Sequence, residues 1–139
     1  MRAEFIAIIA VAFLAVVALG FLYISSYNSQ SSSVNLKWNT DLNSALNTAQ
    51  NTNKLVLVDV YAPWCGWCKE MDKNTFRDSK VQQKLSNYVL VKVNGDENPD
   101  FMNKYHIYSY PTVLILDQSG NLVKTISGYQ EAEDFVNMI

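Results

Sequence analysis

The sequence predicts an α/β fold, a central mixed β-sheet flanked by helices, on three observations. Short β-branched runs alternate with helical periodicities between residues 41 and 107, the order that lays parallel strands side by side with helices packed over them. Two apolar runs, PTVLILD and NLVKTIS, flank QSGN, whose Ser-Gly-Asn sequence suits a tight turn and adds an antiparallel hairpin. Finally, EAEDFVNMI closes the chain with helical composition over little more than two turns.

Bulk properties narrow the function. A chain of 139 residues has room for one compact domain with a sizeable core, expected as a monomer. Its 11 Lys and Arg against 13 Asp and Glu give a net charge of -2, interspersed rather than in blocks. No basic stripe is present to follow a phosphate backbone, so nucleic acid is not an expected partner.

Residues 5–24, FIAIIAVAFLAVVALGFLYI, carry no charged or strongly polar side chain. As a helix at about 1.5 Å per residue they would span roughly 30 Å, the thickness of a hydrocarbon core, and no polar face appears at a 3.6-residue period. Residues 1–24 are therefore read as one N-terminal transmembrane anchor. A cleaved signal peptide is the alternative, with Ala18 and Gly20 near the cut, but the apolar run continues to Ile24. Arg2 lies before the span, and no charge follows it until Lys37, which directs the rest of the chain outside the cytoplasm. Residues 25–33, SSYNSQSSS, are polar and low in complexity and form a flexible linker. The folded domain is 34–139.

Leu42, Ala45, Leu46 and Ala49 recur at helical spacing after Thr40 or Asp41, marking a capped amphipathic helix over about 41–51. The asparagines at 39, 43 and 47 lie on another face and read as a solvated surface. KLVLVDVYA, 54–62, is apolar on both faces, as a central strand would be. CKEMDKNTF and residues 79–86 follow as helical pieces, YVLVKVNGD as a strand at 88–96, and 98–107 as a short helix with Pro99 near its start.

The stretch YAPWCGWCKEMD holds the only two cysteines, Cys65 and Cys68, three apart and each after a tryptophan. A redox couple, half a metal site or a staple would each use such a pair. The staple is disfavoured, because so short a loop hardly restrains the unfolded chain. A structural zinc needs four ligands, and the chain adds only His106, which reads as a packing or capping residue at a helix end. No metal and no cofactor beyond the dithiol are expected. Redox chemistry needs an attacking thiolate and a second thiol that resolves the mixed disulfide. With a strand entering and a helix leaving, Cys65 stands at the helix start, where free N–H groups favour a thiolate, and Cys68 lies one turn in.

These residues carry a resemblance. LVDVYAPWCGWCK followed by KVNGDENPDFMNKYHIYSYPTVLIL resembles thioredoxin from about Val34 to the chain end. WCGWCKEMDKNTFRDSKVQQKL is more similar to the C-terminal domain of DsbD-type transmembrane disulfide reductases. The resemblance implies a thioredoxin fold and, at matching positions, five roles. Asp59, six residues before Cys65, would take the proton of the resolving thiol, with Lys92 in the next strand as its neighbour. An acid inside an apolar strand is itself a functional signal, since burying an unpaired charge is costly. Pro111 matches the family's cis-proline, with the backbone of Tyr110 facing an extended substrate, and Trp64 matches the tryptophan that shields the site. The dipeptide between the cysteines is Gly-Trp rather than Gly-Pro, so Trp67 adds an apolar surface for partners and the family's potential does not transfer. Asp72, four residues after Cys68, reads as a solvated helix acid that would otherwise tune the site, and the last helix looks short for the family.

The function expected is a membrane-anchored protein-disulfide reductase acting outside the cytoplasm on substrate protein disulfides and supplied by a membrane electron-donor protein. Two alternatives stay open on these residues: a disulfide oxidase or isomerase with the opposite electron flow, and a membrane-tethered binding adaptor or holdase. Trp67 fits a strong oxidant poorly, and an adaptor has no need of Cys65, Cys68, Asp59 and Pro111 together.

Overall fold

The computed structural model describes residues 12–21 and 34–139, and the chain divides into two units, Met1–Ser32 and Ser33–Ile139. In the first, residues 12–21 are helical and Phe13, Leu14, Val16, Val17, Leu19 and Phe21 are exposed. Among the described residues no helix is long and apolar enough to cross a membrane. The predicted 5–24 span is thus described only over ten residues, about 15 Å of helix. Its remainder, with nearly all of the predicted 1–24 anchor's flanks and the 25–33 linker, lies outside the described residues.

The second unit is the expected mixed sheet flanked by helices. Its elements are β1 (Trp38–Asn39), α1 (Leu42–Thr52), β2 (Leu55–Tyr61), α2 (Gly66–Lys73), α3 (Ser79–Leu85), β3 (Tyr88–Asn94), α4 (Pro99–Lys104), β4 (Thr112–Leu116), β5 (Leu122–Ser127) and α5 (Ala132–Met138). The strands lie in the order β1-β3-β2-β4-β5. β1, β3 and β2 are parallel, while β4 and β5 run antiparallel to their neighbours. Asp41 caps α1 by accepting from the Ser44 backbone N–H, and Asn53 ends it in the left-handed region at φ 53°.

Two boundaries differ from expectation. The two-residue β1 carries no periodicity of its own and exists because the β3 edge offers free hydrogen-bonding groups. α4 stops at Lys104 rather than 107, because His106 turns to φ 52°, a conformation that ends a helix. His106 is exposed at this turn.

β2 is central and its five middle residues are buried. Its side chains alternate between two apolar clusters. Val56, Val58 and Val60 meet Ala45 and Ala49 of α1 together with Val91, Tyr105 and Ile107. Leu57 faces the other way, into Met71 of α2, Phe76, Val81 and Leu85 of α3 and Phe135 of α5. Full burial of a side chain such as Leu57 or Phe135 contributes about 1.5–3 kcal/mol. The same alternation sends Asp59, two residues after Leu57, to the face that α2 covers.

Candidate functional site

The chain leaves β2 at Tyr61, and the Cys65 N–H donates to the Ala62 carbonyl at 3.0 Å, closing a turn that delivers Cys65 to the head of α2. Cys65 is the N-cap, extended at φ -73° and ψ 108°, and the backbone N–H of Cys68 donates to its Sγ at 3.1 Å. Sulfur thus takes the place that a capping oxygen usually fills, and the unpaired N–H groups of the first turn favour negative charge on it. Gly66 opens the helix, and Cys68 sits three residues on, with a Cα–Cα distance of 5.3 Å to Cys65 and the two sulfurs bonded. Each cysteine is only 5% exposed. The pair is therefore largely shielded from solvent.

Beneath α2, Lys92 Nζ bridges two carboxylates, Asp59 Oδ2 at 2.6 Å and Asp72 Oδ1 at 2.5 Å. Asp59 and Lys92 are direct partners across β2 and β3, and Asp72 reaches in from the last turn of α2. Rings of Trp38, Tyr61 and Phe76 stand 5.0, 5.5 and 5.6 Å from the same ammonium, so their faces add cation–π attraction. Burial pushes the Asp59 carboxyl above its usual value, against the opposing pull of Lys92. For Lys92 burial alone would lower the ammonium, but the charges and hydrogen bonds of Asp59 and Asp72 together outweigh it and hold it above its usual value. The pair is unequal because Asp59 is 2% exposed as a residue, whereas a quarter of the Lys92 side chain, 24%, meets water.

Around the cysteines stands an aromatic rim. Trp64 is 70% and Trp67 62% exposed. The Tyr110–Pro111 peptide bond is cis, as the resemblance implies, and Pro111 is buried. Tyr110 and Tyr61 pack against the cluster of Ala62, Cys65 and Cys68. Its ring lies edge-on to Trp64 at 5.7 Å, and Trp67 pairs with Tyr129 at 5.2 Å. The structure thus gathers Cys65, Cys68, Trp64, Tyr110 and Pro111 at one end of the sheet, Trp67 on the outer side of the helix start, and Asp59 and Lys92 below.

Two participants escaped the sequence reading. Asp96 accepts from both Trp64 Nε1 at 2.8 Å and the Tyr110 hydroxyl at 3.1 Å, and burial with that carboxylate holds the Tyr110 phenol above its usual value. A signal for it existed: parallel β2 and β3 end level, Tyr61 beside Asn94, so the residue two beyond β3 falls near the residue three beyond β2. Tyr129 carried no such signal, because α5 and its approach are placed only by packing. Among the described residues no three His, Cys, Asp or Glu side chains gather as a metal site.

Comparison with known proteins places this geometry. The thiol:disulfide interchange protein DsbD of Haemophilus influenzae (strain PittGG) is 37% identical over 97 residues, covering 66% of this chain and 17% of that protein. DsbD of Yersinia pestis (strain Pestoides F) is 37% identical over 94 residues, covering 63% and 16%. The chain therefore spans about a sixth of the length of these relatives. Among solved structures, a thioredoxin from Thermus thermophilus superposes with a TM-score of 0.65 at 22% identity, covering 74% of this chain and 83% of that one. The C-terminal domain of Neisseria meningitidis DsbD in the oxidised form does so with 0.61 at 24% identity, covering 73% and 96%. Both share the fold. The thioredoxin family model matches residues 34–139, and the chain belongs to the thioredoxin family.

Proposed function

We propose that this thiol:disulfide oxidoreductase works as a reductant of protein disulfides outside the cytoplasm, held to the membrane by residues 5–24 through the 25–33 linker. One observation carries the chemistry: Cys65 caps α2 with its sulfur receiving the Cys68 N–H and bonded to the Cys68 sulfur. The apolar run of 5–24 supports the anchor, and Arg2 before it with no charge after it until Lys37 supports the extracytoplasmic setting.

In the cycle, the Cys65 thiolate attacks one sulfur of a substrate disulfide. That bond breaks, a mixed disulfide forms and the second substrate sulfur leaves as a thiolate. Cys68 then loses its proton and attacks Cys65 Sγ, the mixed disulfide breaks, the remaining substrate thiol departs and the Cys65–Cys68 bond closes. Two electrons pass to the substrate. A dithiol on a membrane electron-donor protein restores the pair by the same exchange.

Asp59 suits the proton step because burial raises its carboxyl's hold on a proton while the charge and hydrogen bond of Lys92 oppose that rise. By the resemblance to thioredoxin, the Tyr110 backbone beside Pro111 aligns an extended substrate, and the exposed Trp64 and Trp67 offer apolar contact beside the sulfurs.

The reduction potential of the full chain in thiol buffers tests the direction of flow. A value near thioredoxin's, about -270 mV, supports a reductase, and one near about -120 mV would make the protein a disulfide donor. Trapping with Cys68→Ser should collect mixed disulfides through Cys65, and an absence of any would sink the exchange mechanism.

A further inference from the structure

The rim around Cys65 is built differently on its two sides. Trp67 meets Tyr129 by ring contact alone, whereas Trp64 and Tyr110 are tied to one carboxylate. Asp96 Oδ2 accepts from the Trp64 indole at 2.8 Å and Oδ1 from the Tyr110 hydroxyl at 3.1 Å, so both oxygens are engaged. Asp96 is exposed, and an exposed carboxylate with a single partner reorients readily, while two donors on its two oxygens fix its plane.

Gly95 makes this arrangement sterically available. A Cβ there would lie 2.3 Å from the Tyr110 hydroxyl oxygen and 2.8 Å from Met102 Sδ, distances that would expel the phenol. Three separate segments are thereby joined: the turn before α2 through Trp64, the residues after β3 through Asp96, and the loop before β4 through Tyr110.

We propose that the Tyr110 hydroxyl and Asp96 form a latch that holds the Trp64 indole and the Tyr110 ring as one rigid wall of the substrate cleft, making both positioning residues for protein disulfides. This rests on the reductase reading for its consequence, though not for its geometry. A wall fixed in advance spares each substrate the ordering of two side chains, so the latch acts on KM and leaves the exchange at sulfur to Cys65 and Cys68. Small disulfides that never span the wall gain nothing from it, which selects extended protein segments.

The latch is read directly by amide-type exchange of the Trp64 indole proton in the 15N-labelled full chain in detergent. Tyr110→Phe removes one oxygen remote from that proton, yet it should speed its exchange about fivefold through Asp96, and Asp96→Ala, which removes the acceptor itself, should speed it at least as much. Unchanged Trp64 exchange in Tyr110→Phe would overturn the latch even if the chain reduces no disulfide.

With insulin as substrate, Asp96→Ala should raise KM about five- to tenfold with kcat changed less than twofold. The Asp96→Ala, Tyr110→Phe double variant should raise KM no further than the larger single, and multiplicative effects would overturn the shared latch. Gly95→Ala, which displaces Tyr110 without touching Asp96, should reproduce the KM effect, and a wild-type KM there would count against the proposal. Loss of all insulin reduction in the wild-type chain would instead sink the reductase reading, with the indole exchange still deciding the latch.

Discussion

The two faces of the central strand make different demands on the same backbone. On the α1 face, Val56, Val58 and Val60 meet only apolar groups and serve the stability of the domain. On the α2 face, Leu57 is followed by Asp59, with Lys92 and Asp72 around it and the cysteine helix above. Leu57 packs into an apolar cluster of its own there, but at Asp59 burial opposes charge instead, beneath the bonded cysteine pair. Both faces contribute stability, but the proposed chemistry lies on one of them, since alternate side chains of β2 point to opposite faces.

The sharpest contrast comes from the head of α2. Cys65→Ser should reduce insulin disulfide reduction to the uncatalysed rate, because no thiolate remains to attack, with the thermal midpoint of the reduced protein little changed. Activity above background would break the assignment of chemistry to this face.

On the other face, Leu114→Ala removes a side chain with no exposure. It should cost about 3 kcal/mol in denaturant unfolding while the reduction potential moves by less than about 30 mV. A larger change in potential would mean that the two faces are not independent.

Asp59→Asn should slow the resolving step roughly 10²-fold at pH 7, read as accumulation of mixed disulfide. It should also make the protein more stable at neutral pH. The folded pKa of Asp59 lies above its unfolded value because burial raises it. Between the two values the native state binds more protons than the unfolded one, so stability falls as pH rises through that window. The variant lacks this loss, and its advantage should vanish on acidification below about pH 4. Lys92 keeps Asp72 and access to water, so it is not stranded. An unchanged pH dependence would remove Asp59 from the proton inventory.

The smallest effect belongs to Asp72→Asn. With 47% of its side chain exposed, Asp72 should contribute no more than about 1 kcal/mol, and less at high salt. A loss that persists in high salt would extend the buried network to α2.

Much of the site was legible because it is local. Cys65, Cys68 and Trp64 lie within one turn between a strand and a helix, and Asp59 stands out as an acid in an apolar run. Asp96 and Tyr129 were not legible by their own patterns, since Asp96 meets Trp64 and Tyr129 meets Trp67 across more than 30 residues. β1 was missed for a related reason: two residues cannot show a period of two, and only the open β3 edge makes them a strand.

What the sequence by itself determined was the succession of strands and helices from α1 onward, the three-residue spacing that seats Cys68 one turn after Cys65, and the alternation that sends Asp59 away from the valines. These follow from periods of 2 and 3.6 residues and from the backbone's own hydrogen bonding. Tertiary structure alone decided that Lys92 bridges Asp59 and Asp72, that the Tyr110–Pro111 bond is cis, and that Asp96 ties Trp64 to Tyr110. Each depends on segments brought together by burial of a shared core, and hydrophobic burial is non-directional, so no local period encodes which side chains it will set side by side.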